Sequence, residues 1–183
     1  MRVGLYGGTF DPIHNGHIHV IQELITRNIV DYLLVLPAGQ PRLRDNEPHA
    51  TGAQRRAMCQ LAISELPAEI KKKVEVNPIE VLREGPSYTI DTVEAVAQFY
   101  EGDTIVLIVG TDAYEKIDQW HRADELKKLV EFVVIDRPEF PGQHNTSVDA
   151  IAVSATDIRA HKSDAVPAAV AAYIKEHNLY ASK

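Results

Sequence analysis

Four apolar runs rich in β-branched residues, Val3–Tyr6, Tyr32–Leu36, Ile105–Val109 and Phe132–Ile135, constrain this chain more than any other feature. No polar residue interrupts them, whereas a strand with one wet face would alternate, so each must be covered on both sides. Stretches of helical period lie between and beyond them, at about Asn15–Arg27, Gln54–Leu66, Thr89–Phe99, Ala113–Gln119 and Pro167–His177. Val74–Val76 and Ala150–Val153 are weaker strand candidates. Alternating strands and helices imply right-handed parallel crossovers, and hence an α/β fold with a single doubly wound, Rossmann-like parallel sheet and helices on both faces. Ligands of such sheets bind beyond the carboxyl ends of the strands, where the winding reverses. The loops after the first, second, fourth and fifth strands are therefore where a site is expected.

Composition narrows the function classes. The 183 residues read as one compact domain, 1–183, with no linker, repeat or low-complexity segment. A formal charge of −7 argues against sequence-independent nucleic-acid binding, which needs many cations against phosphates. No apolar run has the length of a membrane span or a signal peptide, so a soluble, cytoplasmic protein is expected. The single cysteine, Cys59, leaves no internal disulfide and no cysteine cluster, and among Met58, Leu61 and Ala62 it reads as core.

The first strand runs into Gly7-Gly8-Thr9-Phe10-Asp11-Pro12-Ile13-His14-Asn15-Gly16-His17. Asn15 reads as the N-cap of the helix behind it, which places His14 and His17 at a positive helix end with unpaired N–H groups. Such a place attracts anions, two imidazoles can donate to phosphate oxygens, and Gly7 and Gly8 would let a phosphate approach the backbone. Ser154-Ala155-Thr156-Asp157-Ile158-Arg159 reads as a capped helix start, with Arg159 one turn in and able to pair with an oxyanion. Gly85-Pro86-Ser87-Tyr88-Thr89 leads into another helix with Ser87 or Thr89 as cap, and Gly110-Thr111-Asp112 ends the fourth strand. The lone tryptophan, Trp120, precedes His121 and, taken by itself, reads as core packing ahead of a ligand platform. His19, His49, His144, His161 and His177 read as solvated or capping residues, and no side-chain set has the spacing of a protein-built zinc site.

These segments resemble the H-x-G-H nucleotidyltransferase superfamily, and within it, over nearly the whole chain, the bacterial nicotinate-nucleotide adenylyltransferase family. The resemblance implies an enzyme of NAD biosynthesis that joins nicotinate mononucleotide to the AMP moiety of ATP, with Mg²⁺ carried on the ATP phosphates. It implies catalytic roles for His14, His17 and Arg159, and ATP contacts from Gly7, Gly8, Thr9, Phe10, Gly16, Gly110, Asp112, Ser154, Thr156 and Ile158. It further implies that Ser87, Tyr88, Thr89, Trp120 and His121 form the pyridine nucleotide pocket, with the Trp120 ring stacked on the pyridine.

The chain departs from the family in the loop after the second strand, where a lysine is usual and Pro41-Arg42-Leu43-Arg44 stands instead. Arg44 is the positional match, with Arg42, Arg55 and Arg56 as competitors, and Arg137 a further cation near the adenine end. Transfer to nicotinamide mononucleotide or another phosphate acceptor, and a silent nucleotide-binding sensor, remain open on sequence alone. The partners expected are the small-molecule substrates ATP and nicotinate mononucleotide, with no nucleic acid and no membrane.

Overall fold

A computed structural model describes residues 1–39, 47–136 and 146–181. Its five strands are β1 (Arg2–Gly8), β2 (Tyr32–Pro37), β3 (Val74–Val76), β4 (Thr104–Gly110) and β5 (Glu131–Ile135). They form one parallel sheet in the order β3-β2-β1-β4-β5. The chain winds outward from β1 through β2 to β3, then crosses back and winds the other way through β4 to β5. The reversal falls between β1 and β4.

Why the runs are apolar throughout is visible in their alternation. Leu33, Val35, Val106, Ile108, Val133 and Ile135 enter a core layer with α1 (Asn15–Thr26), α2 (Gly52–Ser64) and α8 (Ala168–Glu176). Their neighbours Leu34, Leu36, Ile105, Leu107, Val109 and Val134 enter the opposite layer, with α4 (Thr89–Phe99) and α6 (Ala123–Leu129). In α1, Val20, Ile21, Leu24 and Ile25 are buried at helical spacing, which fixes the face the helix turns to the sheet.

Several local expectations differ from what forms. Ala150–Val153 is not a strand. Ala113–Gln119 divides into α5 (Thr111–Tyr114) and a 3-10 turn, Ile117–Gln119. Thr51 caps α2 through a reciprocal pair with Gln54, which moves the start of that helix ahead of Gln54. The short helices α3 (Ala68–Lys71) and α6 were missed because four and seven residues carry too little periodicity to register. Among the described residues, no helix is long and apolar enough to cross a membrane.

Arg55 of α2 joins the ends of the first two strands. Only 2% exposed, it donates Nη1 to the carbonyls of Thr9 (2.8 Å) and Ala38 (2.7 Å), Nη2 to Gly39 (3.3 Å) and Nε to Ala50 (3.3 Å). Burial lowers its pKa from the usual arginine value and the nearby Asp11 opposes that shift. Arg55 is thus a brace committed to backbone carbonyls, and it is set aside as a substitute for the family's loop lysine. Lysine has the charge but lacks the fork. Arg55→Lys should therefore lose about 2 kcal/mol or more of unfolding free energy, measured by urea titration; an unchanged midpoint would refute the brace.

Candidate active site

Leaving β1, the chain places Phe10 in left-handed backbone with φ 51°. That conformation is unfavourable for a bulky residue and needs support. Support comes from burial, the ring standing edge-on to Tyr6 (5.7 Å between centroids) and His17 (4.9 Å). A Cβ on Gly8 would lie 3.0 Å from that ring, whereas one on Gly7 would meet only the Leu36 carbonyl at 3.9 Å. The space beside Gly8 is taken by the Phe10 ring, and both glycines line the cavity described below.

His14, not Asn15, is the N-cap of α1. Its Nδ1 accepts the N–H groups of Gly16 (3.1 Å) and His17 (3.4 Å), while Nδ1 of His17 accepts the N–H of His14 (3.1 Å). Histidine at both cap positions thus replaces the Ser/Thr and Glu/Gln of an ordinary capping box. The rings stack at 3.6 Å with 21° between planes. A ring nitrogen that accepts cannot carry a proton, so this network assigns each neutral imidazole its N–H at Nε2. A Cβ on Gly16 would stand 2.9 Å from Cε1 and 3.0 Å from Nδ1 of His14. Glycine at 16 is what lets the imidazole fold back over the helix start.

Both histidines line a cavity of about 730 Å³ at the carboxyl ends of β1 and β4, where the winding reverses. Gly7, Gly8, Thr9, Phe10, Gly16, Gly110 and Asp112 line it, as do Ser154, Thr156 and Arg159. Arg159 closes α7 (Ala155–Arg159), whose N-cap Ser154 accepts the N–H of Asp157 at 3.4 Å. Its Nη1 donates to the Asp11 carbonyl (2.8 Å) and its Nη2 reaches Thr156 Oγ1 (3.4 Å). Ile158, expected to contact ATP, is buried and does not line the cavity.

Trp120 and Thr89 also line the cavity, but Ser87, Tyr88 and His121 do not. Tyr88 is the N-cap of α4, in place of Ser87 or Thr89, and stacks on His121 at 4.1 Å between centroids. Ser87 is drawn aside by Arg83, whose Nη1 donates to it (2.5 Å) and to Thr92 Oγ1 (3.1 Å). Thr92 donates in turn to Glu80, which faces the cavity and whose pKa is raised chiefly by burial. Arg44, Arg42, Arg137 and His144 lie outside the described residues. His19 and His161 are not simply solvated, since each Nε2 meets a carbonyl, of Val148 at 2.7 Å and of Tyr180 at 2.6 Å.

Sequence reasoning missed Asp11, Glu80, Arg83 and Tyr180. Asp11 is 4% exposed and accepts from the N–H groups of His49 (2.8 Å) and Ala50 (3.1 Å) and from the Tyr180 hydroxyl (2.6 Å). A carboxylate between Phe10 and Pro12 inside the first motif was a usable signal. Tyr180 carries none. Among the described residues, no three or more His, Cys, Asp or Glu side chains converge to hold a metal ion.

The cytidylyltransferase-like family pattern matches residues 5–161. The nicotinate-nucleotide adenylyltransferase of Bacillus subtilis (strain 168) is 35% identical over 192 residues, covering 99% of each chain. Plasmodium falciparum nicotinic acid mononucleotide adenylyltransferase, solved in complex with NaAD, shares the fold with a TM-score of 0.82 at 19% identity, covering 98% of this chain and 97% of that one. With a family match across most of its length and a relative above 30% identity end to end, this chain belongs to the nicotinate-nucleotide adenylyltransferases of the cytidylyltransferase-like family.

Proposed function

We propose that this protein transfers the adenylyl group of MgATP to nicotinate mononucleotide, giving nicotinate adenine dinucleotide and pyrophosphate. The observation that carries the reading is that the His14–His17 pair and Arg159 line one cavity at the β1–β4 crevice. The full-length similarity to nicotinate-nucleotide adenylyltransferases supports the choice of acceptor.

A phosphate oxygen of the mononucleotide attacks the α-phosphorus of ATP in line. The new P–O bond forms as the bond from the α-phosphorus to the bridging oxygen breaks, and its electron pair leaves with pyrophosphate. The attacking group is already an anion, so no general base is required. Catalysis then consists of alignment and stabilisation of charge on the transferring phosphates. His17 Nε2–H is assigned to the α-phosphate, His14 to the adjoining phosphates and Arg159, with Thr156, to the β/γ end. Thr9 and the Gly7–Gly8 backbone form the hinge between the substrates, and Asp112 meets the ribose. Asp11, Glu80 and Asp112 also line the cavity, but among the described residues no three such side chains converge to hold a metal ion, so Mg²⁺ is assigned to the ATP phosphates as part of that substrate.

For the pyridine end, Trp120 and Thr89 are the direct contacts, and Tyr88 with His121 forms a rim beside them. Arg83, outside the lining, and Glu80, within it, both bond Thr92 and hold the Ser87–Thr92 segment in place. Arg44 is retained as the loop cation.

Pyrophosphate release should be measured with nicotinate mononucleotide, nicotinamide mononucleotide and phosphopantetheine offered separately. Strong preference for the nicotinate form supports the reading; preference for another acceptor overturns the pocket, and no release revives the nucleotide-binding sensor. His17→Ala should reduce turnover by roughly 10²-fold or more, the loss expected for one preorganised donor. Gly16→Ala should lose about 10²-fold in a folded protein, because the added methyl displaces the His14 ring. Normal steady-state rates in that variant would show that the ring position does not matter.

A further inference from the structure

We propose that Tyr180 is a positioning residue for the phosphate-binding arm of the site: the segment after α8 straps Asp11 to α7 and thereby sets where the Arg159 guanidinium points. The inference rests on the assignment of Arg159 to the distal phosphates.

Tyr180 makes two bonds that converge on Arg159 from different directions. Its hydroxyl donates to Asp11 Oδ1 at 2.6 Å, and the backbone carbonyl of Asp11 receives Nη1 of Arg159 at 2.8 Å. Its own carbonyl accepts from Nε2 of His161 at 2.6 Å, and His161 follows Arg159 by two residues, just past the end of α7. With five residues, α7 has little cohesion of its own and depends on such tertiary anchors. Tyr180 itself sits at φ 57°, left-handed backbone that a bulky residue keeps only where its surroundings hold it. Burial, followed by the bond to Asp11, raises the phenol pKa well above its ordinary value, so the hydroxyl is a donor throughout the neutral range.

The consequence for the site comes from what Asp11 would do without the hydroxyl. Its carboxylate lies 4.0 Å from Arg159 Nη1, just beyond a hydrogen bond. A buried carboxylate that loses a donor turns to the groups beside it: His49 Nδ1 stands 3.6 Å from Oδ2, and the permanently charged neighbour is Arg159, the arm assigned to the phosphates. Tyr180 therefore satisfies Asp11 in a way that leaves Arg159 directed at the cavity.

The test is calorimetric binding of a non-transferable Mg²⁺–ATP analogue and of AMP to the full chain and to Tyr180→Phe, which keeps the ring. AMP lacks the phosphates assigned to Arg159. In Tyr180→Phe the ATP analogue should bind roughly tenfold more weakly, while AMP changes less than about twofold. His161→Ala, at an exposed position, should shift the ATP-to-AMP ratio in the same direction, and His161→Gln, whose amide can donate to the Tyr180 carbonyl, should restore it. Equal weakening of both ligands, or no change in either, overturns the strap. If Tyr180→Phe does not fold, the His161 pair decides, and an unchanged ratio in His161→Ala refutes the inference. A wild-type protein that does not prefer the ATP analogue over AMP also refutes it. Wild-type protein with the expected ratios but no pyrophosphate release with nicotinate mononucleotide would instead leave the strap standing and remove the acceptor.

Discussion

Burying the carboxylate of Asp11 obliges separate stretches of chain to converge on it. A carboxylate at 4% exposure with unfilled acceptor sites would cost several kcal/mol, so its partners are not optional. The N–H groups of His49 and Ala50 come from the segment that leads into α2, and the hydroxyl of Tyr180 comes from beyond α8. The Asp11 carbonyl adds Arg159, from the end of α7. Arg55 works alongside with the opposite sign, a buried cation answered by carbonyls from the β1 and β2 exits and from Ala50. One acid and one base thus hold the rim of the crevice, and the sheet beneath supplies a rigid floor.

The start of α1 solves a structural and a chemical problem with the same atoms. A helix must satisfy its first N–H groups, and here imidazole nitrogens do so. Because each Nδ1 is consumed as an acceptor, the remaining N–H of each neutral ring is fixed at Nε2. A serine cap would satisfy the backbone equally well and offer the substrate nothing comparable. The stacking of the rings and the edge of Phe10 against His17 remove rotational freedom that a substrate would otherwise have to remove.

How far the sequence could be read follows from the range of each signal. The sheet and its main helices were legible because periodicity is local, and so was the glycine-histidine loop, since its parts lie within eleven residues. Asn15 was mistaken for the cap because cap statistics favour Asn, while a histidine cap depends on the second histidine three residues on. Ser87 and Tyr88 were placed in the cavity by resemblance; Arg83 and His121 draw them to its edge through contacts made across a turn and between loops. Tyr180 is 169 residues from Asp11, and nothing in the spacing of a single chain reports a pairing at that distance.

The charge balance of the chain shows why the site has to be assembled in this way. With a net charge of −7, the protein as a whole repels the two anions assigned to it, and long-range attraction cannot concentrate them. Favourable interaction must be short-range, from directed N–H groups in a crevice where water is restricted and local bonds count for more. Uncharged imidazoles fixed by backbone bonds supply such donors without the desolvation cost of buried ammonium groups. Arg159 brings a full charge, but a guanidinium held through backbone and hydroxyl acceptors stays available to phosphate only while no carboxylate claims it. In this fold that condition is met by keeping Asp11 occupied from every other side.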